Sequence, residues 1–339
     1  VSTSRRGLPR PLTETTPPGI AAYDLTRPAV DGTVLEPVVV FPTPAKPSAH
    51  AAAPDLERAV YTTGEELVCV ARDGRPMWRS AFDAAPEQYM NGRADCAFSL
   101  DGEVVWLYRP DLAMRGHGHL DQWLAFDAAT GAVLGQVELG SAGHGAHHLV
   151  HPDGEHVLLS VGQGQDGSRV YRARLEGGGI TMAEYDWDGA TLYDLSPDGG
   201  RMMTVRETPG SLLEELVFSA FPDGTEEIVV PSEAFGYDEE TYETFFIGWT
   251  VGYLDAGTAI VSVHGERAVP EDTAADDPLD LDFYENHLVD TGSGRVLGPL
   301  APEFLTLEGI VPLGDRSWLA PARGGGWHRH VTAVPLDGG

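Results

Sequence analysis

At 339 residues, 42% of them apolar and interrupted by 41 glycines and 25 prolines, the chain has mass for a sizeable core but breaks it into short pieces. Its 52 acidic residues against 22 basic ones give a formal charge of −30, which repels phosphate backbones and anionic headgroups and argues against nucleic-acid and membrane partners. No apolar run approaches the roughly 18 residues that span a bilayer, and the opening VSTSRRGLPRPLTETTPPG lacks the apolar stretch of a signal peptide, so the expectation is a soluble, cytoplasmic protein.

In chain order, residues 1–18 read as a flexible tail and 19–339 as one domain. GIAAYDLTRPAVDGTVLEPVVV (19–40) reads as strand, turn, strand. A unit then recurs, each time opening on two strands about a tight turn: AAAPDLERAVYTT (51–63), FSLDGEVVWLY (98–108), LVHPDGEHVLLSV (149–161), DLSPDGGRMMTV (194–205), GYLDAGTAIVSV (252–263) and VPLGDRSWLAPA (311–322). Asp55, Asp101, Asp153, Asp198, Asp255 and Asp315 mark these turns, where Asp and Gly tolerate unusual backbone angles. Most units continue with a second strand–turn–strand, as in QWLAFDAATGAVLGQVEL (122–139) and NHLVDTGSGRVLGPL (286–300). Four strands per unit at this spacing predict an all-β propeller of about six four-stranded blades. A seventh would fall at 19–45 or 231–248. The last unit runs out after its third strand, so a strand near 33–40 is expected to complete it and close the propeller. Cys69 and Cys96 fall in strands and are expected as buried, reduced thiols.

HPDGEHVLLS, SPDGGRMMTV and SLDGEVVWLY look like the SPDG-type repeat of WD40-like and TolB-type β-propellers. DAATGAVLGQVELG resembles the turn of quinoprotein-like and YVTN-type repeats. The resemblance implies the fold. It does not select a function, because such propellers serve as scaffolds, binding proteins, lyases and hydrolases.

Blade geometry divides the loops between a face bearing the tight turns and an opposite, upper face. Of the twelve histidines, only His151 and His156 fall at tight turns. Counting five residues back from a turn lands on His50 and His148, near the upper ends of innermost strands; His117 and His119 lie in the loop PDLAMRGHGHLDQ. Imidazoles with a carboxylate such as Asp95, Asp121, Glu207 or Glu308 would suit a divalent transition metal. Two readings follow. In the first, a binding propeller receives a small molecule or protein segment on a His-rich upper face. Trp249, Tyr237, Trp327 and Phe245 would be its anchors, and Arg115, Arg206 and Arg329 would be free for an anionic ligand. In the second, a metal-dependent lyase or hydrolase works at the channel mouth, with Tyr193 or Glu207 as general acid or base. GQGQDG (162–167) joins two strands and reads as a hairpin loop rather than a dinucleotide site. The acidic insertion 266–287 reads as a solvated loop or lid.

Overall fold

A computed structural model describes residues 11–44, 46–82, 93–110, 120–141, 143–208, 213–238, 240–268, 282–300, 309–322 and 325–332. Antiparallel sheets dominate it. Strands β1 (Leu12–Thr16), β2 (Gly19–Tyr23), β3 (Thr33–Leu35) and β4 (Val39–Pro42) come first, and β1-β2-β4 form a three-stranded blade I. Blade II holds β5 (Ala49–Ala52), β6 (Arg58–Thr62), β7 (Glu66–Ala71) and β8 (Pro76–Ala81). Blade III holds β9 (Asp95–Phe98), β10 (Val104–Arg109), β11 (Gln122–Asp127) and β12 (Val133–Glu138). Blade IV holds β13 (Gly145–Val150), β14 (His156–Gly162), β15 (Ser168–Glu176) and β16 (Gly179–Glu184).

Blade V holds β17 (Thr191–Leu195), β18 (Arg201–Glu207), β19 (Glu214–Ala220) and β20 (Glu226–Pro231). Blade VI holds β21 (Tyr242–Asp255), β22 (Thr258–Arg267), β23 (Asp282–Asp290) and β24 (Val296–Pro299). Blade VII holds β25 (Val311–Pro312), β26 (Ser317–Pro321) and β27 (Trp327–Val331), with β3 as its fourth strand. Arg329 pairs with Thr33 and Trp327 with Leu35, so a strand from the N-terminal region closes the last blade. Blades I–IV form one compact unit, and blades V–VII, including β3, form a second.

The six Asp-marked turns share one hydrogen bond, which explains the repeated aspartate. In each, an Asp Oδ1 accepts the backbone N–H two residues on: Glu57, Glu103, Glu155, Gly200, Gly257 and Ser317. A carboxylate does locally what the ladder cannot do in the turn. Blade I turns instead through Pro17–Pro18 and Gly19. A Cβ on Gly19 would lie 1.9 Å from the Phe41 carbonyl oxygen, so only glycine fits against β4 there. This blade also corrects the expected tail. Leu12–Thr16 is a strand paired with β2 from Leu12↔Tyr23 to Thr16↔Gly19, so ordered structure reaches back into the segment 1–18.

Alternation sends successive side chains to opposite faces of each sheet, and within each unit neighbouring blades bury those faces together. In blade III, Leu107 and Leu124 pack with Cys69 and Trp78 of blade II, while Trp106, Tyr108 and Trp123 pack with Leu159 and Tyr171 of blade IV. Cys69 and Cys96 are both free and buried in the first of these layers. Burial pushes the Cys69 thiol up to about 12 and Cys96 well above its usual range, so both are poor nucleophiles. Among the described residues no helix is long and apolar enough to cross a membrane.

Candidate functional site

In the first unit, the first strands of four successive blades bring a row of polar side chains together: Thr13 (β1), His50 (β5), Asp95 (β9) and His148 (β13). The Thr13 hydroxyl donates to the His50 carbonyl oxygen at 3.4 Å and accepts from His50 Nδ1–H at 2.9 Å. With the Thr13 proton directed at that carbonyl, Nδ1 carries the hydrogen and the lone pair stands on Nε2. Burial lowers the His50 pKa, against an opposing pull from the Asp95 charge, and this keeps the ring neutral at pH 7.

The Asp95 carboxylate accepts both the backbone N–H of His148, at 2.9 Å, and its Nδ1–H, at 2.6 Å. Trp123 Nε1–H then donates to His148 Nε2 at 3.0 Å. His148 is 1% exposed and has both ring nitrogens committed. Burial would raise the Asp95 pKa, but the hydrogen bonds from His148 outweigh it and hold the carboxyl below its usual range. A metal at His148 would have to displace the indole or the carboxylate. Of the two histidines, only His50 offers a ring nitrogen with a lone pair free of these contacts. His117, His119 and Glu308 lie outside the described residues, and among those described no group of three His, Cys, Asp or Glu is arranged to hold a metal ion. Asp121 is committed too, accepting from Tyr108, Ser141 and Gly143.

In the second unit, Tyr193 sits half-buried on β17, against the core containing Met203 and Phe245. Its hydroxyl lies 3.0 Å from where a Cβ on Gly248 would stand. Glu207, exposed at the end of β18, is directly opposite Glu214 of β19. Residue types alone did not single out Glu214. It is half-buried and accepts the Ile247 N–H at 2.5 Å; burial, reinforced by the Glu207 charge, pushes it up to about 7. The adjacent pair Glu214–Glu215 at a strand start was the available signal, but only packing distinguishes the two.

The expected binding residues divide differently from the sequence reading. Arg206 and Arg329 are strand residues, not loop residues. Arg206 is paired with Glu215 and Glu226, and these carboxylates raise its pKa against the effect of burial. Arg329 is 3% exposed and binds Ser317 Oγ at 2.9 Å and Asp315 at 2.5 Å, holding the tight turn of blade VII. Neither guanidinium is free for an anionic ligand, because a carboxylate of its own blade already holds it. Phe245 is core. Tyr237 follows the short 3₁₀ turn Ser232–Phe235 and stacks on Tyr242 at 5.9 Å. Trp327 is half-buried at the start of β27, with no hydrogen-bond partner for its indole nitrogen among the described residues. Trp249 lies on β21, but its side chain is outside the described part, as is Arg115.

Blade VI supplies a feature the sequence reading missed. β21, at 14 residues, is the longest of its strands, and Phe246, His264 and Tyr284 stand directly opposite one another across β21, β22 and β23. β22 and β23 reach into the expected lid 266–287 from its two ends, while 269–281 lie outside the described residues. Phe246 and His264 have ring centroids 5.6 Å apart; His264 and Tyr284 stack at 5.9 Å. Burial lowers the His264 pKa, so the ladder's centre is neutral at pH 7. Phe246 is 40% exposed. The next rung on the same face is Thr244, Glu266 and Asp282, and both of its carboxylate residues are exposed. TFFIG and DFYENH around the acidic insertion carried the signal, since alternation turns Phe246 away from core Phe245.

No family model matches the chain, and no curated protein matches its sequence. Solved structures do. Hydrazine synthase from Kuenenia stuttgartiensis is similar at 14% identity over 88% of this chain and 78% of that one, with a TM-score of 0.54. The WD40 domain of Pan2 from Neurospora crassa is similar at 12% identity over 96% of this chain and 87% of that one, with a TM-score of 0.51. A TolB protein from Agrobacterium tumefaciens aligns at 14% identity over 87% and 93% of the two chains, with a TM-score of 0.42. At these identities the likeness concerns architecture, and with the sheet order it shows that the chain is an all-β propeller with seven blades.

Proposed function

We propose that this propeller is a protein-binding scaffold that docks a basic segment of a partner on the aromatic ladder of blade VI. The observation that carries the reading is the Phe246–His264–Tyr284 row, partly open to solvent and bordered by Glu266 and Asp282. Cross-strand aromatic pairs stiffen the sheet and present flat π-faces. Arginine or lysine would gain from those faces and from the carboxylates beside them. The formal charge of −30 would draw a basic segment in and make the encounter salt-sensitive. The enzyme reading would need more ligands than His50 Nε2 and Asp95 supply among the described residues.

The test is fluorescence anisotropy with a labelled Arg/Lys-rich peptide and an acidic peptide of equal length. The basic peptide should bind, and more weakly as salt rises. Replacing Phe246 and Tyr284 together with alanine should weaken binding by about tenfold or more, as expected for aromatic anchors. Equal binding by the double variant, or by the acidic peptide, would remove the ladder from the reading.

A further inference from the structure

A second feature lies in the first unit, at the tight-turn ends of blades III and IV, where a cleft of about 440 Å³ separates the two sheets. Its origin can be read in the repeat. In blades II to VI the second strand begins three residues beyond the turn aspartate. In blade II that position is Arg58, which crosses to blade III and donates from Nη2 to the Gly102 carbonyl oxygen at 3.0 Å. In blade V it is Arg201, which crosses to blade VI and donates from Nη1 to the Thr291 carbonyl oxygen at 2.8 Å. In blade III it is Val104, which lines the cleft and has neither the reach nor the charge to cross it. A gap that blades II and V close with a guanidinium is therefore open here.

The walls suit the group that the valine omits. Val104, Trp106 and Leu175 give the cleft an apolar side. Asp101, Glu155 and Glu176 contribute carboxylates against a single arginine, Arg174, and Arg174 is already bound to Glu176 at 2.8 Å. Asp101 and Glu155 have no basic partner among the described residues. A flat cation with an apolar stem matches this combination of carboxylates and hydrophobic wall, and the volume lies within the range of small-ligand pockets. We infer that the cleft between blades III and IV is a guanidinium-binding site, taking an alkylguanidinium where blades II and V supply an arginine of their own.

The experiment titrates the whole protein by calorimetry with methylguanidinium, agmatine and acetyl-arginine-amide, using methylurea as the uncharged shape control. Saturable binding of the guanidinium probes without methylurea binding is expected. Agmatine tighter than acetyl-arginine-amide would point to a free small molecule, and the reverse order to an arginine within a partner chain. Glu155→Gln with Glu176→Gln changes exposed side chains and leaves the backbone hydrogen bond of the turn in place, and it should weaken binding by about tenfold. Val104→Arg restores the side chain used in blades II and V, so it should abolish binding while raising the melting temperature. The inference is overturned if no guanidinium probe saturates, if methylurea binds equally, or if the Val104→Arg protein folds and binds undiminished. Phe246→Ala with Tyr284→Ala should leave this site intact, so its failure and that of the blade VI reading are separable.

Discussion

Replacing Asp121 with alanine should destabilise the protein by about 4 kcal/mol, because three buried donors would lose the carboxylate they share. Asp121 is 0% exposed, and one carboxylate oxygen takes three donors: Tyr108 Oη, Ser141 Oγ and the Gly143 backbone N–H, each at 2.8 Å. Its backbone is fixed as well, donating to Ser141 and accepting from Leu139. Each donor left buried without an acceptor costs about 1–3 kcal/mol before relaxation. Asn retains an oxygen but not the charge that draws three donors to one atom, so Asp121→Asn should fall between, at about 2 kcal/mol. Urea melts of both variants decide the matter. An alanine variant within about 1 kcal/mol of the parent would mean that water or loop movement satisfies the donors.

The second large effect is pH-dependent and belongs to Glu214. Its pKa in the folded protein is raised from the ordinary 4.5 to about 7, chiefly by burial, with the Ile247 N–H opposing and Glu207 assisting. Between those values the folded state holds a proton that the unfolded chain has released. The contribution to stability is therefore complete below about pH 4.5 and lost as pH rises through about 7. Allowing for partial solvent access, the loss is about 2 kcal/mol. Glu214→Gln cannot ionise and keeps an acceptor for Ile247, so the difference between variant and parent should be near zero at pH 4 and favour the variant at pH 8. Denaturant melts across that range would show the difference curve rising with pH. A flat curve would show that Glu214 titrates alike in the folded and unfolded chains.

What the chain discloses in one dimension depends on whether the chemistry is local. The six aspartate turns were readable because each carboxylate serves an N–H two residues away. β1 was not, because LTETT has no apolar run and becomes a strand only through its pairing with GIAAY. Arg206 and Arg329 were misplaced for a related reason: the carboxylates that hold them come from elsewhere in the blade, from neighbouring strands for Arg206 and from the tight turn for Arg329. His50, Asp95 and His148 could be placed on first strands by counting from the turns, yet the indole of Trp123 that occupies His148 could not. The open cleft needed both levels. A valine where blades II and V carry arginine is visible in an aligned repeat, but its meaning depends on knowing that those arginines cross between blades.

The borrowed strand β3 imposes a schedule on the protein's birth. Val331 N–H bonds the Asp31 carboxylate across 300 residues, and Thr33–Leu35 pairs with β27. On a ribosome adding about 5–20 residues per second, β3 emerges roughly 15–60 s before its partner exists. During that interval it is an unclaimed strand edge, the kind of surface that recruits the wrong neighbour. Three residues are enough to complete blade VII and too few to offer a long template, so the shortness of β3 limits the hazard of its own delay.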